Sequence, residues 1–182
     1  MFIGFIENLN KRKGYHFLVI LFVMLLIAIV VMRYFDSFLI TEISPNGIVS
    51  FELAKELSGS KQIINSWDTI AKNAAGLSLG FDFLFLMIYS SFLSMLIYNL
   101  NKRLFVKTSY HAWQFIIFLI PFIAAFFDII ENITLIKLLL GDLKQIWSSM
   151  AFYFALVKFG LLSLGIIYIL TGGLILIFIK KK

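Results

Sequence analysis

Hydrophobic residues run along this chain in four long blocks, and polar residues collect in the gaps between them. The blocks cover roughly residues 17–35, 74–98, 112–140 and 148–179. Each approaches or exceeds the ~20 apolar residues that a helix needs to cross a bilayer. Membrane β-strands would be short and would alternate in polarity, whereas these blocks are continuous. The pattern predicts an all-α membrane protein, a four-transmembrane-helix bundle forming one integral membrane domain over residues 1–182. The first block follows Lys11-Arg12-Lys13, as the core of a signal peptide would. It ends in MRYFDSF with no small-residue cleavage pattern, so it is read as a retained span.

The gap at 36–73 is the one substantial polar stretch. Pro45-Asn46-Gly47 signals a turn there. Ile48, Val49, Phe51, Leu53, Ala54 and Leu57 then suit a short amphipathic helix, and Ser58-Gly59-Ser60 interrupts it. Ile63, Ile64, Trp67, Ile70 and Ala71 fall near one face of a second helix. The expectation is two short amphipathic surface helices in this first outer loop, with apolar faces down and charges in water. They would serve as a connector packed on the bundle or as a lid over a cavity.

Composition changes the picture in three ways. Hydrophobic residues make up 61% and charged residues 14%, too little charge for a soluble domain of this length. There is no cysteine, which excludes thiolate catalysis, disulfide exchange and cysteine-based metal sites. The net charge of +6 is distributed by side. Lys11, Arg12, Lys13, then Lys102, Arg103, Lys107, then Lys180, Lys181 and Lys182 fall on one side of the alternating spans. The other side dilutes Lys55, Lys61, Lys72 and Lys144 with Asp36, Glu42, Glu52, Glu56, Asp68 and Asp142. The positive-inside rule then places both termini in the cytoplasm. The expected partner of the basic residues is the lipid bilayer. A nucleic-acid partner is not expected, since that would need a basic, aromatic-lined face in a soluble domain. Tyr110, Trp113 and Trp147 sit near block ends, as interfacial aromatics do. His16 and His111 lie at the cytoplasmic ends of blocks, a poor match to a haem held between spans. No cofactor is expected.

The candidate chemistry lies inside the blocks. The stretch AAFFDIIENITL (124–135) places Asp128, Glu131 and Asn132 on one helix face at i, i+3, i+4 spacing. At about 1.5 Å per residue, Asp82 lies about 12 Å below the outer end of its span, Glu131 about 13 Å, Asp128 about 18 Å and Lys158 about 15 Å. Three helices thus bring ionisable groups to a similar depth. Ser78, Asp82 and Tyr89 share a face of the second block. Ala151, Lys158, Gly165 and Gly172 recur every seven residues along the fourth, a seam of small residues with one lysine in it. Arg33, near the outer end of the first block, could turn inward or snorkel outward. With Arg33 turned inward, three acids face two bases and one acid is left over. The candidate ligand- or proton-binding residues are Asp82, Tyr89, Asp128, Glu131, Asn132, Lys158 and Arg33. No catalytic residue is assigned. No metal site is expected, because Lys158 would oppose a divalent cation.

Intramembrane ionisable residues are costly to insert, which makes a functional site the default hypothesis. The leading expectation is a binding, sensing or transport protein whose acidic site takes a cationic small molecule, a cationic lipid or a proton. The first alternative is a structural or accessory subunit, as a homo-oligomer or within a larger membrane complex, whose polar cluster only fixes helix packing. The second is a lipid-acting enzyme with a carboxylate as acid or base.

Three stretches, PNGIVSFELA (45–54), FDFLFLMIY (81–89) and DIIENITL (128–135), resemble a group of small bacterial four-span integral membrane proteins. The resemblance covers about the middle half of the chain. It implies a bacterial inner-membrane setting and four spans, and it implies no activity. It contains the same acids, Asp82, Asp128 and Glu131.

Overall fold

The computed structural model describes residues 11–105 and 112–179, with the side chains of 11–13, 112 and 179 left aside. Six helices occur among the described residues. They are α1 (Lys11–Asp36), α2 (Ile48–Glu52), α3 (Leu57–Ser66), α4 (Thr69–Leu104), α5 (Ala112–Leu139) and α6 (Gln145–Ile179). Four of them, α1, α4, α5 and α6, are long and apolar enough to cross a membrane. No strand is present among the described residues. The all-α architecture and its four long helices follow the hydrophobic blocks.

The helices overrun the blocks. α4 has 36 residues, about 54 Å at the α-helical rise, against a hydrocarbon core about 30 Å thick. It begins at Thr69 because Asp68 caps it, with Oδ1 accepting from the Ala71 N–H at 2.8 Å. Hydropathy does not register such polar first turns.

α4, α5 and α6 pack on one another, with the most extensive contact between α5 and α6. α1 packs along α4 and barely meets the other two. The seam on α6 faces inward as expected: Ala151, Lys158, Gly165 and Gly172 are all buried. A Cβ on Gly172 would stand 2.5 Å from Leu100 Cδ2, so α6 and α4 close tightly there. The outer faces of α1 and α6 expose Val30, Ile27, Leu170 and Phe178 among many apolar side chains. Such surfaces belong against lipid.

The 37–68 connection folds over one end of the bundle, the capped end. Leu39, Ile48, Phe51, Ile63 and Trp67 bury themselves against Ala71, Ala74, Ala75, Leu79, Leu135, Leu138 and Ala151. Phe51 and Trp67 meet edge to face at 5.4 Å. The Trp67 indole N–H donates to Leu39 O at 3.0 Å. Gln145, at the start of α6, accepts from the Leu57 N–H at 2.9 Å and donates to Lys55 O at 3.1 Å. Ser60 and Ser148 pair their hydroxyls at 2.9 Å in a buried contact. Two short helices form and are packed as a cap, but with other bounds than expected: Ser58-Gly59-Ser60 lies inside α3 and does not interrupt a helix, and Ile70 and Ala71 belong to α4, which the Asp68 cap starts at Thr69. The charges of the first do not all stay in water, since Glu52 is buried.

The expected turn at Pro45-Asn46-Gly47 sets how α2 enters. Gly47 has φ +55° and ψ −127°, a region open to glycine. A Cβ there would collide with the Asp36 carboxylate. That carboxylate accepts from the Ile48 N–H at 2.7 Å, joining the end of α1 to the start of α2. Lys107, Tyr110, His111 and Lys180–Lys182 lie outside the described residues, as do the side chains of Lys11–Lys13. Gly47→Ala adds backbone strain and displaces a charged acceptor. It should destabilise the protein by about 2 kcal/mol, read as an earlier thermal melt in detergent, whereas Gly59→Ala, where a Cβ meets only Ala54 Cβ at 3.8 Å, should melt much closer to the parent.

Candidate functional site

Three long helices and the cap converge on Lys158. It lies 13 residues past Gln145 on α6, and Asp82 lies 13 past Thr69 on α4 (158 − 145 and 82 − 69). Glu131 lies 8 residues before Leu139 on α5 (139 − 131). All three therefore sit within about 12–20 Å of the capped end. The i, i+3, i+4 spacing on α5 turns Asp128, Glu131 and Asn132 into the bundle, and all three are buried. Asp82, Tyr89 and Lys158 are buried too.

The Lys158 ammonium donates to Asp128 Oδ1 at 3.2 Å and to Glu131 Oε1 at 2.9 Å. Glu131 Oε2 stands 2.8 Å from the same nitrogen but outside hydrogen-bond geometry. The ammonium also lies over the Phe159 ring, 4.7 Å from its centroid. Tyr89 donates its hydroxyl to Asp128 Oδ2 at 2.9 Å. Asp128 is thus satisfied at both oxygens. Asn132 Nδ2 donates to Asp82 Oδ2 at 2.5 Å. Six of the seven residues singled out from the sequence are brought together, as a four-residue network around Lys158 and an adjacent Asn132–Asp82 pair.

Arg33 is not among them. Its side chain is 81% exposed and lies 4.0 Å from Asp36, three residues on along α1. The reason is topological: α1 packs mainly along α4, and Arg33, three residues before its end, pairs with Asp36 at the surface and not with the α5–α6 seam. A long guanidinium near a helix end then goes to water.

A residue unmarked by sequence reasoning takes its place, and it is an acid. Glu52, on α2, brings Oε2 to 3.7 Å from the Lys158 nitrogen. That oxygen is buried and accepts no hydrogen bond. The Glu131 carboxyl shares the same ammonium, with Oε2 2.8 Å from its nitrogen. Burial holds the Glu52 carboxyl above the usual carboxylate range, with Lys158 pulling the other way and Asp128 reinforcing the rise. One signal for this residue does lie in the sequence. Glu52 falls four positions after Ile48 and beside Phe51, on the side of α2 that is otherwise apolar.

The cluster therefore contains four carboxyls, Glu52, Asp82, Asp128 and Glu131, around one ammonium. Fully ionised, it would carry three net negative charges in a site screened from water. Like charges at this range repel strongly in low dielectric, and protons on part of the group would relieve that repulsion. Among the described residues, no group of three or more acids, histidines or cysteines has the geometry to hold a metal ion.

The opposite end of the same three helices carries a neutral polar group that sequence reasoning did not single out. The Tyr168 hydroxyl donates to Asn101 Oδ1, Asn101 Nδ2 donates to Gln114 O at 3.5 Å, and Ser94 donates to Phe118 O at 2.9 Å. These residues are isolated in sequence and spaced without a shared motif.

Comparison with family models, with curated proteins and with solved structures found no match.

Removing the Lys158 ammonium leaves the acids of the cluster opposed only to each other. Lys158→Met should cost about 3–5 kcal/mol near neutral pH, the range for breaking a buried pair. The deficit should shrink as pH falls, because protonated acids no longer need the lysine. Thermal melts of both proteins across pH check this. A deficit that stays constant or grows at low pH would contradict the charge account.

Proposed function

We propose that this chain is a multi-pass protein of a bacterial inner membrane that binds protons in the acidic cluster around Lys158. The observation that carries this reading is the ratio of four buried carboxyls to one ammonium. A site with that surplus takes up and gives off protons as its surroundings change, because its neutral form needs more protons than its lysine supplies. Asp82, Asp128, Glu131 and Glu52 are the acceptors. Tyr89 and Asn132 orient Asp128 and Asp82 through the hydrogen bonds described above. Lys158 is the internal counter-ion. A cationic small molecule or lipid headgroup that displaced its ammonium would meet the same acids. The protein senses or couples to proton uptake.

The orientation in this proposal follows the lysine and arginine bias, with both termini cytoplasmic and the cap on the outer face. The bacterial setting rests on the resemblance of the three motif stretches. An accessory role with a purely structural cluster draws support from the direct contacts between Lys158 and Glu131 at 2.8 and 2.9 Å.

Infrared spectroscopy separates the two readings. Protonated buried carboxyls give a C=O stretch distinct from that of carboxylates. We expect such a band in the parent, losing intensity as pH rises from mildly acidic to mildly alkaline. Glu131→Gln and Asp128→Asn should each alter it. A parent with no protonated-carboxyl band at any pH at which it stays folded would leave the structural reading in place.

A further inference from the structure

We infer that Glu52 and Glu131 share one proton above Lys158, and that lifting of the cap, α2 together with α3, from the bundle exposes this proton to the water at the capped end. The inference rests on the proton-binding reading and specifies its point of exchange.

Glu52 differs from the other three acids in what carries it. Asp82, Asp128 and Glu131 are fixed on helices of 36 and 28 residues. Glu52 closes a five-residue helix outside the long spans. That helix is entered through Gly47 at positive φ, a position with torsional freedom that other residues lack. Its further side is tied to α6 partly through Gln145, whose hydrogen bonds to Leu57 and Lys55 are exposed. Water competes for exposed hydrogen bonds, so such contacts open at low cost.

The charged groups facing Glu52 are known from each side. α6 presents Lys158, α5 presents Asp128 and Glu131, and α4 presents Asp82. From α1, Asp36 engages the backbone at the other end of α2. The Glu52 and Glu131 Oε2 atoms are both buried, without hydrogen bonds, beside one ammonium that also serves Asp128. A single proton between the two carboxyls gives one of these oxygens a donor and halves the charge of the pair. When it leaves as hydronium, the pair goes from one negative charge to two. The repulsion falls on the acid whose backbone can move.

The pH sense follows from the raised position of Glu52. A carboxyl held above its ordinary range in the closed state favours that state at low pH. Its contribution is lost as pH rises through the raised value. The cap should therefore be shut in acid and loosen toward alkaline pH, and Glu52→Gln should remove that dependence.

The absence of native cysteine makes a reversible test available. Ser60 and Ser148 hold their hydroxyl oxygens 2.9 Å apart across the cap, so Ser60→Cys with Ser148→Cys can be oxidised to lock it. Hydrogen–deuterium exchange of the buried carboxyl band is then followed after transfer to heavy water. Locking should slow exchange about tenfold or more, and reduction should restore the parent rate. Equal rates in locked and reduced protein would overturn the inference while leaving the proton site itself standing. A missing band would overturn both. Should the disulfide fail to form, Ser60→Cys alone reports opening through thiol labelling, corrected for the reactivity of a free thiol. Labelling should rise with pH in the parent background and stay low with Glu52→Gln. The same pH profile in both backgrounds would sink the proposal.

Discussion

One buried ammonium organises this protein. Placing an ion in the interior costs several kcal/mol, about what well-formed partner contacts can return. Lys158 meets that cost with Asp128 and Glu131, and those contacts place α6 against α5, the most extensive helix contact in the fold. The small residues at Ala151, Gly165 and Gly172 let α6 come close enough for the lysine to reach. Tyr89 and Asn132 then extend the network to α4. Outside this group the long helices meet mainly through apolar side chains, which in lipid lack the driving force they have in water. The register of the three-helix core therefore depends on the cluster more than on its apolar contacts.

The long helices were legible because hydropathy and length are properties of contiguous residues. The inward faces of α4, α5 and α6 were legible for a related reason. Ionisable side chains within apolar helices turn away from lipid, and helical periodicity carries their neighbours with them. Arg33 and Glu52 escaped that logic in opposite ways. Arg33 looked available because depth along a helix can be counted from sequence. Which helices are neighbours cannot, and α1 packs mainly along α4. Glu52 looked solvated because it lies in a polar connection. Its burial depends on the Asp36–Gly47 junction folding α2 back over the bundle, a long-range arrangement to which no local propensity points.

The cap joins two kinds of contact with different consequences. Phe51, Ile63 and Trp67 bury apolar surface at the helix ends and hold the connection in place. Glu52 gains no hydrogen bond for its buried Oε2, and it adds a fourth acid to a site already rich in them. A glutamine or leucine at this position would close the bundle at lower electrostatic cost. The carboxyl places a titratable group of the cap 3.7 Å from the ammonium at the centre of the core cluster.

The opposite end of the bundle supplies the internal comparison. There Asn101, Gln114 and Tyr168 join α4, α5 and α6 with neutral donors and acceptors. Those groups keep a fixed number of protons over the physiological range, and they suffice to tie three helices together. Had the capped end required only a polar tie, the same chemistry was within reach of this chain. Instead it has four carboxyls and a lysine, groups of a titratable kind. Neutral ties serve packing at one end. A titratable set at the other end adds a variable that packing does not need, and it sits beneath α2, whose entry turns on a glycine.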